Sequence, residues 1–132
     1  MLSKLFKKKV TSEDLQNEKI SHIELGRLGE KFGQQFLKSQ GYKILETNYK
    51  SMGFEIDVIA EHAGYIVFVE IKTRRSKRYG MPSEAVTKEK QRRYKMISSL
   101  YLTYKQLLHK YVRFDVLEII DGKPNLIINA FI

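Results

Sequence analysis

Two short runs hold the residue types that hydrolytic metal chemistry uses. They are Phe54-Glu55-Ile56-Asp57-Val58-Ile59-Ala60 and Val67-Phe68-Val69-Glu70-Ile71-Lys72-Thr73. Both are rich in β-branched residues and read as strands, so alternate side chains share a face. Glu55 and Asp57 then project together, and so do Glu70 and Lys72. The connection His62-Ala63-Gly64 is short, so a hairpin sets Asp57 beside Glu70. Two carboxylates within ~4 Å repel and raise one another's pKa unless a cation lies between them. Oxygen ligands of this kind suit Mg²⁺ or Mn²⁺. Lys72 would face the same cavity, where it could hold a water or neutralise a phosphate. Glu-x-Lys alone also fits an ion pair at a solvated strand end. The pattern Asp57 … Glu70-x-Lys72 is far more specific than either half.

These strands need a frame. Residues 20–40 predict a helix, because Leu25, Leu28, Gly29, Phe32, Phe36 and Leu37 recur at spacings of three and four. Gly41 ends it, and Tyr42-Lys43-Ile44-Leu45 opens a first strand. Short connections at 51–53 and 62–64 then predict an antiparallel meander of three strands, the third buried on both faces. Ser83 is a suitable N-cap for a second helix running to about residue 109. Val86, Tyr94, Ile97, Leu100, Tyr101, Tyr104, Leu107 and Leu108 line one side of it. Residues 111–120 form a fourth strand, Asp121-Gly122 a turn, and 125–132 a final edge strand. The order α-β-β-β-α-β(-β) predicts a single α/β domain over 20–132, with a central mixed sheet flanked by helices. Residues 1–19 are polar and without period. They read as a mobile basic N-terminal arm or as a short amphipathic helix around Leu2, Leu5 and Phe6.

Composition narrows the chemistry. The chain has 132 residues and no cysteine, which excludes disulfide scaffolds, thiolate metal sites and cysteine nucleophiles. Its three histidines, His22, His62 and His109, stand apart and do not form a zinc pattern. No apolar run approaches the ~20 residues of a membrane span, and residues 1–10 lack the apolar core of a secretory signal. The expected location is cytoplasmic.

The net charge is +9. Between Lys72 and Lys95 there are ten bases against two acids, so this stretch carries nearly all of the excess. Such concentration points to a polyanion, with nucleic acid first and an anionic membrane or ribosomal surface as competitors. Arg74, Arg75, Lys77, Arg78, Lys88, Lys90, Arg92, Arg93 and Lys95 are the candidate phosphate contacts, and Tyr79 is a candidate for a base or sugar. On the second helix, Lys90 and Arg93 fall on the side of Tyr94 and Ile97. Lys88, Arg92 and Lys95 fall on the other, so the half-helix is basic nearly all round.

These residues carry a resemblance. The chain is similar to the PD-(D/E)XK nuclease superfamily, and more closely to its small bacterial YraN-like family, related to archaeal Holliday-junction resolvases. The match runs over residues 26–119. It rests on Gly26-Arg27-Leu28-Gly29-Glu30, Gly41-Tyr42, Glu55-Ile56-Asp57-Val58-Ile59-Ala60 and Phe68-Val69-Glu70-Ile71-Lys72-Thr73-Arg74. It continues in Gly80-Met81-Pro82, Glu84-Ala85-Val86, Lys90 and Arg113-Phe114-Asp115-Val116. Phe54 departs from it, since the family usually has Gly before Glu-Ile-Asp.

The resemblance implies a restriction-endonuclease-like fold and a metal-dependent endonuclease that hydrolyses DNA, with branched or structured DNA as the substrate. Asp57 and Glu70 would be metal-binding carboxylates, with the Ile71 carbonyl as a third ligand. Lys72 would position or activate the attacking water, and Glu30 would complete the site from the first helix. Glu55 ranks below Asp57, as a supporting acid or an arginine partner. Gln91 is a further candidate for shaping the site. The implied cofactor is Mg²⁺ or Mn²⁺, and a homodimer is a further expectation. The competing reading is a non-catalytic nucleic-acid-binding protein that keeps a vestigial site.

Overall fold

The computed structural model describes residues 9–75 and 86–131. Its helices are α1 (Ser12–Gln16), α2 (His22–Ser39) and α3 (Lys88–Tyr104). Its strands are β1 (Lys43–Ser51), β2 (Phe54–His62), β3 (Tyr65–Arg74), β4 (Tyr111–Ile120) and β5 (Lys123–Ile127). The five strands form one sheet in chain order. Every neighbouring pair is antiparallel except β3 and β4, which are parallel. This is the expected mixed sheet.

Local chemistry explains the meander. Met52-Gly53, Ala63-Gly64 and Asp121-Gly122 each place two successive residues at positive φ. Such turns carry the twist that lets antiparallel strands continue without splaying. The parallel step from β3 to β4 needs a long crossover, which α3 supplies.

The sheet is covered on both faces. Leu25 and Leu37 of α2 pack with Val58, Ala60, Val67, Val69, Ile71 and Leu117. Tyr94, Ile97 and Tyr101 of α3 pack with Ile56, Ile59, Ile66, Phe68, Phe114 and Val116 on the other face. β3 is therefore buried on both sides, as its unbroken apolar run predicts. At the end of the sheet where β4 begins, the buried Arg113 pairs with Asp115 at 2.8 Å, and the Tyr42 hydroxyl donates to Asp115 at 2.6 Å.

Some boundaries differ from expectation. Helix α3 is capped by Thr87, whose hydroxyl accepts from the Lys90 N–H at 3.1 Å; Ser83 lies outside the described residues. The helix stops at Tyr104 rather than near 109, and Gln106 adopts φ 58° just beyond it. Leu100, Tyr104 and Leu108 are exposed, not core. β1 is longer than its apolar start suggests, and β5 occupies 123–127 rather than 125–132.

Residues 10–16 of the expected arm pack onto the domain. Val10 and Leu15 are buried in the α2-side core. Thr11 forms a reciprocal cap with Asp14, and Val10 exchanges two backbone hydrogen bonds with the Gln35 side chain. Residues 1–8 lie outside the described residues. Among those described, no helix is long and apolar enough to cross a membrane.

Candidate functional site

The site begins where β2 leaves β3. Their ladder runs from His62↔Tyr65 to Val58↔Val69 and goes no further. Side-chain alternation slips at the same place. Ile56 and Ile59 both pack on the α3 side, while Val58 and Ala60 pack on the α2 side. Asp57 stands in this slip, at the fork. Its Oδ2 accepts the Ile71 N–H at 2.7 Å, so the side chain fills a place that a strand carbonyl would otherwise take.

Three acids converge on the fork. Carboxylate oxygens of Glu30, Glu55 and Asp57 all lie within 4.8 Å of one another. Glu30 reaches them because α2 approaches β3 closely. A Cβ at Gly29 would overlap the Thr73 side chain, and one at Gly33 would come within 2.8 Å of Ile71 Cδ1. Asn48 of β1 ties the acids together, its Nδ2 donating to Glu30 Oε2 and Glu55 Oε1 at 2.9 Å each. Asn48 holds φ 49° inside a strand, a conformation Asn tolerates better than most residues. The Asp57 carboxyl is pushed up to about 8, first by burial and then by the negative charge of Glu70 and, less, of Glu30. The Ile71 N–H and the Lys90 ammonium oppose the rise.

Glu70 occupies the adjoining position on the α3 side. It is buried, and both its oxygens are taken. The Lys90 ammonium lies 2.7 Å from Oε1, and the Tyr94 hydroxyl donates to Oε2 at 2.5 Å. Burial, with the neighbouring acids, holds the Tyr94 hydroxyl far above the ordinary tyrosine range. Of the expected metal set of Asp57, Glu70, Ile71 and Glu30, the Ile71 N–H binds Asp57 and Glu70 is near enough to be the largest charge acting on Asp57. Asp57 and Glu30 come together with Glu55, which sequence ranked lower, while Glu70 is held by Lys90 and Tyr94. Lys72, two residues on, is half-buried and in register with the buried Glu118 of β4.

The basic residues divide into groups. Lys88, Arg92 and Lys95 are exposed on α3. Lys90 serves Glu70. Arg93 pairs with Glu89 at 2.7 Å, and its guanidinium carbon lies 4.1 Å from the centre of the Phe54 ring. Arg75 is a structural strut, donating to the Ile20 and Asn17 carbonyls. Arg74 ends β3, where its carbonyl accepts the Asp121 N–H. Lys77, Arg78 and Tyr79 lie outside the described residues. Gln91 donates to the Val86 carbonyl at 3.2 Å, beside the start of α3.

Two contributors, Asn48 and Tyr94, are not site residues in the sequence reading, and Lys90 enters it only as a phosphate contact. Asn48 left one signal, an Asn inside an otherwise β-prone stretch. Lys90 and Tyr94 were assigned to phosphate contact and to core. Their spacing of four on the inner face of α3 was visible, but which strand residue they meet was not.

An α-β-β-β-α-β core with acids gathered where the second strand parts from the third defines a restriction-endonuclease-like domain. Residues 29–119 match the family described as "Uncharacterised protein family UPF0102". The chain is 46% identical over 110 residues to a UPF0102 protein of Dictyoglomus turgidum, covering 83% of this chain and 93% of that one. It is 48% identical over 110 residues to one from Alkaliphilus metalliredigens, covering 81% and 96%. A third, from Dictyoglomus thermophilum, is 43% identical over 118 residues, covering 85% and 100%. The chain belongs to the UPF0102 family, which is the YraN family within the restriction-endonuclease-like superfamily.

Proposed function

We propose that this protein is a divalent-metal-dependent endonuclease that hydrolyses phosphodiester bonds in DNA, branched or structured DNA above all. The observation that carries the reading is the gathering of Glu30, Glu55 and Asp57 within 4.8 Å. Acids gathered so closely in a buried place carry a cost: the Asp57 carboxyl is pushed up, first by burial, then by the charge of Glu70 and, less, of Glu30. A cation removes it. The donor set is all oxygen and so fits Mg²⁺ or Mn²⁺. Glu30, Glu55 and Asp57 would hold the ion, with Glu70 and the Ile71 carbonyl next to them. When bound, such an ion polarises a phosphate and lowers the pKa of a coordinated water.

The chain's own groups supply the rest. Asn48 keeps Glu30 and Glu55 together. Lys72 presents a cation at the β3 end, where it can hold a water or neutralise phosphate charge. Lys88, Arg92 and Lys95 offer exposed charge to the DNA backbone. The proposed setting is the cytoplasm. A homodimer, if formed, has a candidate face in Met96, Leu100 and Tyr104, exposed and four apart on α3.

The test is a panel of single-stranded, duplex, flap and four-way-junction DNA with Mg²⁺ and with Mn²⁺. Metal-dependent cleavage that vanishes in Asp57→Ala is expected. Cleavage that persists in Asp57→Ala would overturn the assignment. The second reading, DNA binding without cleavage, draws on the engagement of Glu70 by Lys90 and Tyr94. It predicts junction binding and no cutting with either metal.

A further inference from the structure

Beside the three acids lies a cleft of about 240 Å³ between the β1–β2 turn and α3. Phe54, Glu55, Lys90, Arg93 and Tyr94 line it. It therefore shares Glu55 with the acid cluster and shares Lys90 and Tyr94 with Glu70. The Arg93 guanidinium is layered over the Phe54 ring and steadied by Glu89. The Arg93 side chain is 39% exposed.

Each cation in this wall already has an acid partner. Lys90 holds Glu70, Arg93 holds Glu89, and Glu55 adds a further negative charge. A phosphate entering here would compete with carboxylates. A flat ring with polar edges would not, and it would extend the Phe54–Arg93 stack by one layer. We propose that this cleft takes one unpaired nucleobase, stacked on the Arg93 guanidinium, next to the phosphate to be cut. The proposal rests on the nuclease reading and sharpens its substrate class. A base inside a continuous duplex has both faces covered by its neighbours and cannot enter. A single strand, a flap or an opened branch point can offer one.

The test measures binding in EDTA, so that no cleavage intervenes. The probes are a flap DNA with 2-aminopurine at the branch and a blunt duplex of the same sequence. The intact protein should raise the flap's fluorescence, as the base leaves its stacked neighbours, and leave the duplex's unchanged. Phe54→Ala and Arg93→Lys should each weaken flap binding about tenfold, as for one stacked base, and leave duplex binding unchanged. Phe54→Trp should retain flap binding. Arg93→Lys keeps the charge without emptying the core, so it decides the matter should Phe54→Ala fold poorly. Equal losses on flap and duplex, or no loss with Arg93→Lys, would overturn the cleft. Adding Mn²⁺ separates the two ideas. DNA bound through the cleft and never cut counts against the nuclease alone. Cleavage indifferent to Phe54 and Arg93 counts against the cleft alone.

Discussion

Asp57 and Asn48 set the behaviour of the site at the scale of single residues. Asp57 keeps its proton to about pH 8 in the folded chain, against an ordinary 3.8. A raised carboxyl favours the folded state while both states are protonated, and that benefit fades as pH climbs from about 4 toward 8. The metal-free protein should therefore lose thermal stability over that range, and Asp57→Asn should flatten the loss. A divalent ion must displace the same proton. The rise in melting temperature caused by Mn²⁺ should thus be larger at pH 8.5 than at pH 6, and absent in Asp57→Asn. An unchanged pH profile in that variant would show that Asp57 is not the titrating group. Asn48→Ala should weaken Mn²⁺ binding by about 10–100-fold, because Glu30 and Glu55 lose their common donor. Calorimetric titration reads this directly. Asp57 and Glu70 are legible in sequence because acid spacing on strands and the family resemblance both point to them; Glu30 is legible through the resemblance alone. The partners of Glu70 are not legible, since Lys90 and Tyr94 arrive through the packing of a helix some twenty positions away.

At the scale of elements, α2 and α3 divide the labour. Helix α2 must lie almost against β3 for Glu30 to reach the fork. Gly29→Ala would drive a methyl into Thr73 and push the helix outward. The expected result is roughly 1–3 kcal/mol of lost stability together with weaker Mn²⁺ binding, read by denaturant melts and titration. A surface glycine with no packing role would show neither. Helix α3 has a solvent face that carries the exposed Arg92 and Lys95, and an inner side where Arg93 is already paired with Glu89. Arg92→Ala with Lys95→Ala should flatten the plot of log K against log[salt] by about one to two units and weaken all DNA sequences alike. Arg93→Ala alone should change that slope less. Sequence periodicity put Tyr94, Ile97 and Tyr101 on the inner face and Arg92 and Lys95 on the outer, as found, but it also put Leu100 and Tyr104 inside, and both are exposed. It overran the helix end, because Leu107 and Leu108 continue the apolar spacing after the backbone has turned at Gln106.

At the scale of the whole molecule, the strand order was legible because each antiparallel step is made by a short turn of residues that accept positive φ. The docking of residues 10–16 was not, since it depends on distant partners such as Gln35 and Gly122. The parallel pairing of β3 with β4 has a kinetic meaning. Tyr65 meets Tyr111 across dozens of intervening residues, whereas β1, β2 and β3 meet through turns of a few. Loop-closure entropy delays the distant pairing, so the meander with α2 should form first and β4 should join late. Truncating Val58 should then slow folding, while truncating Val116 should chiefly speed unfolding. Stopped-flow kinetics across denaturant would distinguish the two. Glu30, Asn48, Glu55 and Asp57 all belong to the early unit, and the Lys90 and Tyr94 that engage Glu70 belong to the late one. In refolding, the acid cluster would thus take shape before Lys90 and Tyr94 close on its neighbour.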